Sequence, residues 1–158
     1  MKKVIFICTG NICRSPMAHH YMQEKVKSLN VENNFLIDSC GIYANTGERA
    51  TRNAIEAIKD YGINMENHRA KNVNELNLDE YDLIITLTNQ HKRILRQIYP
   101  KINDKIYTLK EYTEPDTKYI DIDDPWGFDI NVYKSCAKEI VEYVDKLVEK
   151  MKRMLSLW

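Results

Sequence analysis

A cysteine and an arginine near the start of the chain, Cys8 and Arg14, have the types and spacing needed to bind and attack a tetrahedral anion. The cysteine ends a short apolar run, residues 4–8, and the arginine precedes Ser15-Pro16 and a helical segment. Backbone N–H groups of such a loop, with those of the next helix, form a concave site for phosphate. The same field favours the nucleophilic thiolate form of a cysteine. The stretch therefore predicts a thiolate that faces a bound phosphate.

The residues inside this loop favour the same interpretation. Gly10 and Asn11 are types that accept a positive φ, which a loop closing on itself often needs. The planar guanidinium of Arg14 matches two phosphate oxygens, Ser15 can donate to the thiolate, and Pro16 fits a first helical turn. The Cys/Arg spacing also occurs by chance, and a cysteine that ends a strand is commonly a buried apolar residue. The flanking strand and helix signals favour function.

Composition predicts a single globular domain over residues 1–158. Hydrophobic residues make up 44% of the chain, and 23 basic side chains balance 23 acidic ones. This balance argues against nucleic acid or a membrane surface as the main partner. No run is long enough for a membrane span, and the chain leads directly into a strand rather than a secretory signal. We therefore expect a cytoplasmic protein.

Four cysteines stand at positions 8, 13, 40 and 136. In a cytosolic chain of this size they are not expected to form a structural disulfide framework. Because no Cys-x-x-Cys pair or matching histidine spacing occurs, we expect neither a metal nor another cofactor. Cys40 and Cys136 are expected in the core, whereas Cys13 lies inside the loop with Cys8.

The elements that must position the loop alternate along the chain. Strands are predicted at residues 4–8, 35–39, 81–87 and 105–109, helices at 17–27, 50–61, 89–98 and 131–155, a short helix at 75–78 and a polar loop at 111–124. This order predicts a three-layer Rossmann-like open sheet of about four parallel strands with helices on both faces. Ligands bind such sheets beyond the carboxyl ends of the strands, where Cys8 stands.

Residues 8–18 resemble the signature loop of the low-molecular-weight protein tyrosine phosphatases. The resemblance covers the whole chain, through residues 38–41, residues 81–85 and the Asp124-Pro125 pair before the last helix. It implies hydrolysis of phosphorylated protein substrates without a metal. Neither a dinucleotide site nor a nucleoside triphosphate site is supported, because Gly-x-Gly-x-x-Gly and Gly-Lys-Ser/Thr are absent.

The resemblance implies a role for each residue of the reaction. Cys8 attacks phosphorus and becomes phosphocysteine, and Arg14 with the loop amides holds the phosphate oxygens. Asp124 protonates the leaving oxygen and later takes a proton from water. Alone, an Asp before a Pro is more often a turn residue, but its pairing with the loop favours catalysis. The implied phosphate-binding residues are Thr9, Gly10, Asn11, Ile12, Cys13 and Arg14.

The same resemblance implies supporting residues. A hydrogen-bond network that holds the loop in shape would comprise Asn11, Ser15, Ser39 and His68. His68 matches only with an inserted residue, and a lone histidine in a polar stretch is more often simply solvated. Cys13 would form a reversible disulfide with Cys8 that protects it from over-oxidation. Trp126 and Ile12 would wall the substrate site, although Trp126 could equally anchor its own loop.

Two differences bear on the substrate. Residues 43–54 lack an Asp and an Arg of many family members, and there the chain looks like the Gram-positive branch that contains protein arginine phosphatases. That branch has a threonine at the position of Ile12. The isoleucine of this chain presents an apolar side chain, which instead suits a phenyl ring. We predict phosphotyrosine as substrate, with phosphoarginine as the alternative.

Two further interpretations are disfavoured. An arsenate reductase would need additional cysteines near the third strand, and residues 83–96 contain none. A catalytically inactive phosphate-binding module is disfavoured because Cys8, Arg14 and Asp124 are all present.

Overall fold

The computed structural model describes residues 1–156, whose strands form one sheet. The four strands are β1 (Lys2–Cys8), β2 (Phe35–Gly41), β3 (Leu83–Thr86) and β4 (Ile106–Thr108). They are all parallel and lie in the order β2-β1-β3-β4. The predicted sheet of four parallel strands is confirmed.

The helices cover both faces of this sheet. They are α1 (Arg14–Ser28), α2 (Arg52–Lys59), α3 (Asn89–Ile98), α4 (Leu109–Thr113) and α5 (Ile130–Leu155). Within residues 1–156, no helix combines the length and hydropathy that a bilayer span requires.

Strand β1 is apolar along most of its length because it is buried on both sides. Val4 and Phe6 belong to a core formed with α1, α2 and α5, whereas Ile5 and Ile7 belong to a second core with Leu95 of α3. The chain passes from β2 on one side of β1 to β3 on the other. The strand order therefore reverses at β1, which places its carboxyl end at the crevice where such sheets bind ligands.

The prediction for residues 105–124 was partly wrong. The strand ends at Thr108, and α4 occupies the start of the segment predicted to be a loop. The cause is a capping box: Thr108 Oγ1 accepts from Glu111 N at 3.1 Å, and Glu111 Oε2 accepts from Thr108 N at 2.9 Å. The Thr-x-x-Glu pattern at residues 108–111 indicates such a helix start in the sequence.

The predicted short helix at residues 75–78 was also wrong. Two 3-10 turns, Val73–Glu75 and Leu78–Glu80, stand on either side of that position. Each begins at an asparagine, Asn72 or Asn77, whose side chain accepts a backbone N–H two residues later. Such side-chain bonds favour turns over a continuous helix.

Candidate active site

The loop between Cys8 and Arg14 lies at the carboxyl end of β1 and is held by the segment that follows β2. Ile42 N donates to Cys8 O at 3.0 Å, and Tyr43 N donates to Thr9 O at 2.9 Å. The backbone of the loop is thus fixed by main-chain bonds before any side chain contributes.

Asn11 organises the inside of the loop. It is fully buried and left-handed, with φ 57°. Its Nδ2 donates to Ser15 Oγ at 2.8 Å, its Oδ1 accepts from Lys71 N at 3.0 Å, and its carbonyl accepts from His68 Nε2 at 2.8 Å. The structure therefore brings together Asn11, Ser15 and His68, three of the four residues predicted to support the loop. Of the two loop residues whose types accept a positive φ, only Asn11 adopts one.

The Cys8 side chain is 2% exposed, and its Sγ lies 2.9 Å from Ser15 Oγ. The Ser15 hydroxyl oxygen accepts from Asn11 Nδ2, and its proton can be donated to the Cys8 sulfur, which lies nearer than the alternative acceptor, Cys40 O at 3.5 Å. A hydroxyl donor 2.9 Å from the sulfur stabilises a thiolate more than a thiol. The arrangement suits a nucleophilic sulfur at Cys8.

The Arg14 guanidinium connects the loop to a distant segment. Its Nη1 donates to Ile122 O at 2.9 Å, and its Nη2 lies 3.4 Å from Asp124 Oδ2. The Asp124 side chain is 49% exposed, and its Oδ1 accepts from Trp126 N at 3.1 Å. Arg14 is therefore anchored on one side, and Asp124 lies at the mouth of the site. A phosphate and this carboxylate would compete for the same guanidinium.

Cys13 lies in a different environment from Cys8. Its Sγ is 3.5 Å from Tyr133 Oη and 3.6 Å from Thr51 Oγ1. Burial raises the pKa of the Cys13 thiol, so this group stays protonated at neutral pH. Both sulfurs line the same cavity, and the disulfide between them stays a prediction.

The loop forms the floor of an open cavity of about 360 Å³. Ile12 and Trp126, the two residues predicted to wall the substrate site, line this cavity together with Tyr43. Both aromatic side chains are well exposed, at 63% for Trp126 and 68% for Tyr43. Tyr43 was not among the predicted wall residues. Its position just after β2, at the carboxyl edge of the sheet, could have indicated it. Glu48 and Asn45 complete the rim.

Ser39 contacts a histidine of α1 rather than the loop itself. Its Oγ is 2.8 Å from Nδ1 of His19, so it reaches the loop only through the histidines beside it. Its predicted part in the network that holds the loop is therefore at most indirect, because its side chain faces α1 rather than the loop.

His91 of α3 is a loop contact that the sequence analysis missed. Its Nε2 lies 2.9 Å from Thr9 Oγ1. Burial lowers the pKa of His91 to about 4, so the imidazole is neutral at physiological pH. Its position just after β3 could have indicated this contact, because the carboxyl ends of parallel strands lie at one edge of the sheet.

Gly41 provides a test of how tightly the loop is packed. A Cβ at this position would lie 2.6 Å from Thr9 O and 2.9 Å from Asn11 N, both backbone atoms. Gly41→Ala must therefore shift the loop. We expect it to lower the free energy of unfolding by about 1–3 kcal/mol in urea denaturation and kcat/KM by at least about tenfold.

Gly10→Ala is the matched control for stability. A Cβ at Gly10 meets only the Ile12 side chain, at an ordinary 3.5 Å. Its free energy of unfolding should change by less than about 1 kcal/mol. Equal destabilisation by both substitutions would show that close approach is not what requires glycine at position 41.

Comparisons with known proteins identify a family and several relatives of this chain. The family described as "Low molecular weight phosphotyrosine protein phosphatase" matches residues 3–157. A protein-arginine-phosphatase of Bacillus subtilis is 34% identical over 152 residues, which cover 95% of this chain and 97% of the relative. A low molecular weight protein-tyrosine-phosphatase of Staphylococcus epidermidis is 35% identical over 145 residues, 92% and 96% of the two chains. The crystal structure of a low molecular weight protein tyrosine phosphatase from T. tengcongensis has a TM-score of 0.87 and 40% identity, covering 95% of this chain and 99% of that one.

Proposed function

Since the chain belongs to the low molecular weight phosphotyrosine protein phosphatase family, we propose that it hydrolyses phosphotyrosine in proteins through a phosphocysteine intermediate. The relatives are enzymes, and this chain is an enzyme of their class. The observation that carries the proposal is that Cys8, Arg14 and Asp124 line one cavity whose wall includes Ile12 and aromatic side chains.

In the first step the Cys8 thiolate attacks phosphorus in line with the leaving oxygen. An S–P bond forms while the P–O bond to the tyrosine ring breaks. Arg14 and the loop amides bind the equatorial oxygens, where transition-state charge concentrates. The Asp124 carboxyl group transfers its proton to the leaving oxygen, so that tyrosine departs as a neutral phenol.

In the second step water attacks the phosphocysteine. The Asp124 carboxylate, formed in the first step, takes a proton from this water as its oxygen bonds to phosphorus. The S–P bond breaks and returns the Cys8 thiolate, which Ser15 stabilises at 2.9 Å. Inorganic phosphate then leaves. Asp124 donates the proton in the first step and accepts the proton in the second.

The cavity wall supports an aromatic substrate group. The branched apolar side chain of Ile12 offers no hydrogen bond, and Trp126 and Tyr43 add exposed ring surfaces. Flat aromatic groups pack favourably against such surfaces. A phosphotyrosine ring can therefore be held between them while its phosphate occupies the loop.

Phosphoarginine is the second candidate, and two observations favour it. Protein-arginine-phosphatases are among the similar relatives, at 34% and 32% identity. In addition, the carboxylate of Glu48 lines the cavity, where it could pair with a substrate guanidinium. Against this, Ile12 stands where the branch that contains protein arginine phosphatases has a threonine, and its apolar side chain offers no hydroxyl.

Ile12→Thr tests the choice between the two substrates. We expect the wild-type enzyme to have a higher kcat/KM for a phosphotyrosine peptide than for a phosphoarginine peptide. Ile12→Thr should shift this ratio towards phosphoarginine by at least about tenfold, because a hydroxyl replaces apolar wall. Ile12→Val is the matched control and should leave the ratio almost unchanged. A wild-type preference for phosphoarginine would overturn the proposed substrate.

We also propose that the enzyme acts on phosphorylated proteins in the bacterial cytoplasm, as one domain. The four cysteines are free thiols, and a reaction that depends on a thiolate works best in a reducing compartment.

A further inference from the structure

Three histidines form a cluster beside the loop. His19 and His20 are neighbours on α1, and His68 comes from the segment between α2 and β3. One ring nitrogen from each lies within 4.8 Å of the others. The rings of His19 and His20 stack at 4.3 Å, and the His68 ring meets that of His20 edge-on at 5.1 Å. None of the three lines the substrate cavity, and the bond from His68 to Asn11 does not explain why two further histidines lie beside it.

Two of the rings are oriented by partners outside the cluster. His68 Nε2 donates to the carbonyl of Asn11 at 2.8 Å, which leaves its Nδ1 without a proton when the ring is neutral. His19 Nδ1 lies 2.8 Å from Ser39 Oγ, and when Nδ1 donates to this hydroxyl oxygen the lone pair of Nε2 is free for a metal ion. Histidines that bind metals commonly hold their second nitrogen in this manner, because it fixes both the tautomer and the ring direction.

The charged groups near the cluster are the ammonium of Lys71, the guanidinium of Arg69 and the carboxylate of Asp38. The nearby ammonium of Lys71 would repel a cation, but it is paired with the Asp38 carboxylate at 2.5 Å.

We propose that His19, His20 and His68 together bind one divalent transition-metal ion, with Zn²⁺ the best match. Zn–N bonds of about 2.0–2.1 Å in a tetrahedral site place two ligand nitrogens about 3.3 Å apart. His20 Nε2 and His68 Nδ1 already lie 3.0 Å apart. The ion takes the place of the proton that these two nitrogens share, and that proton moves to His20 Nδ1. Water completes the coordination.

The site would be coupled to the phosphate-binding loop. A cation on His68 Nδ1 polarises the opposite Nε2–H group, which donates to Asn11 O. The expectation from sequence that no metal binds rested on the absence of a local ligand motif. Here two ligands are adjacent and the third is far along the chain, so no such motif exists.

Cobalt is the probe for the test, because tetrahedral Co²⁺ absorbs visible light and thiolate ligands add near-ultraviolet bands. Titration of the full metal-free chain should show one Co²⁺ bound, without thiolate bands, and one equivalent of Zn²⁺ should displace it. His20→Gln and His19→Gln should each weaken Co²⁺ binding by at least about tenfold. Thermal melts without metal establish whether each variant is folded. One folded variant is sufficient to test the proposal.

Two controls separate this site from other ligands. His91→Gln removes the fourth histidine of the chain and should change Co²⁺ affinity by less than about twofold. Cys8→Ser should also retain binding, since sulfur takes no part. Wild-type affinity in folded His20→Gln or His19→Gln, loss of binding in Cys8→Ser, or no bound Co²⁺ in the wild type would overturn the proposal. The readout is spectroscopic and does not depend on the proposed phosphatase reaction.

Discussion

Cys8→Ser is expected to lower kcat for aryl phosphate hydrolysis by at least about 10⁴-fold. A serine hydroxyl is not ionised at neutral pH, so it is a far weaker nucleophile than a thiolate. Phosphate binding should persist within a few fold, because Arg14 and the loop amides remain. Steady-state kinetics measure the loss, and inhibition by inorganic phosphate or titration calorimetry measures binding.

Cys136→Ser is the control for a general effect of losing a thiol. Cys136 is buried in α5 and lies outside the cavity, with its Sγ 3.8 Å from Asp123 O. A serine can keep this contact, so kcat should stay within about threefold of wild type. Substantial turnover by Cys8→Ser would exclude the covalent mechanism.

Asp124→Asn should show a strong dependence on the leaving group. We expect kcat/KM to fall by about 10²–10³-fold for phenyl phosphate, whose leaving oxygen needs a proton. For a nitrophenyl phosphate, which releases a stable anion, the loss should be about tenfold or less. Asparagine can still accept the hydrogen bond from Trp126 N, so the local turn is preserved.

Asp123→Asn is the neighbouring control for this experiment. The Asp123 carboxylate accepts from Tyr119 Oη and does not line the cavity. Its substitution should leave the ratio of the two substrates unchanged. If Asp124→Asn slows both substrates equally, Asp124 supports the site in another way and is not the acid.

The main features of the fold could be predicted because they depend on local patterns. The apolar run of β1, the loop residues and the helix start at Ser15-Pro16 are contiguous, and each imposes its conformation over a few residues. The error at α4 was also local, since its capping box is readable in the sequence.

The candidate site likewise has one part that could be predicted from local sequence and one part that depends on the tertiary structure. Residues 8–14 are a single segment, so their types and spacing alone predict a thiolate and a guanidinium around one anion. Only the assembled sheet and helices decide that Asp124 approaches Arg14 to 3.4 Å, that His91 contacts Thr9, and that Ser39 faces His19. These contacts join segments far apart in sequence. Their distances depend on strand order and helix packing, which no local pattern contains.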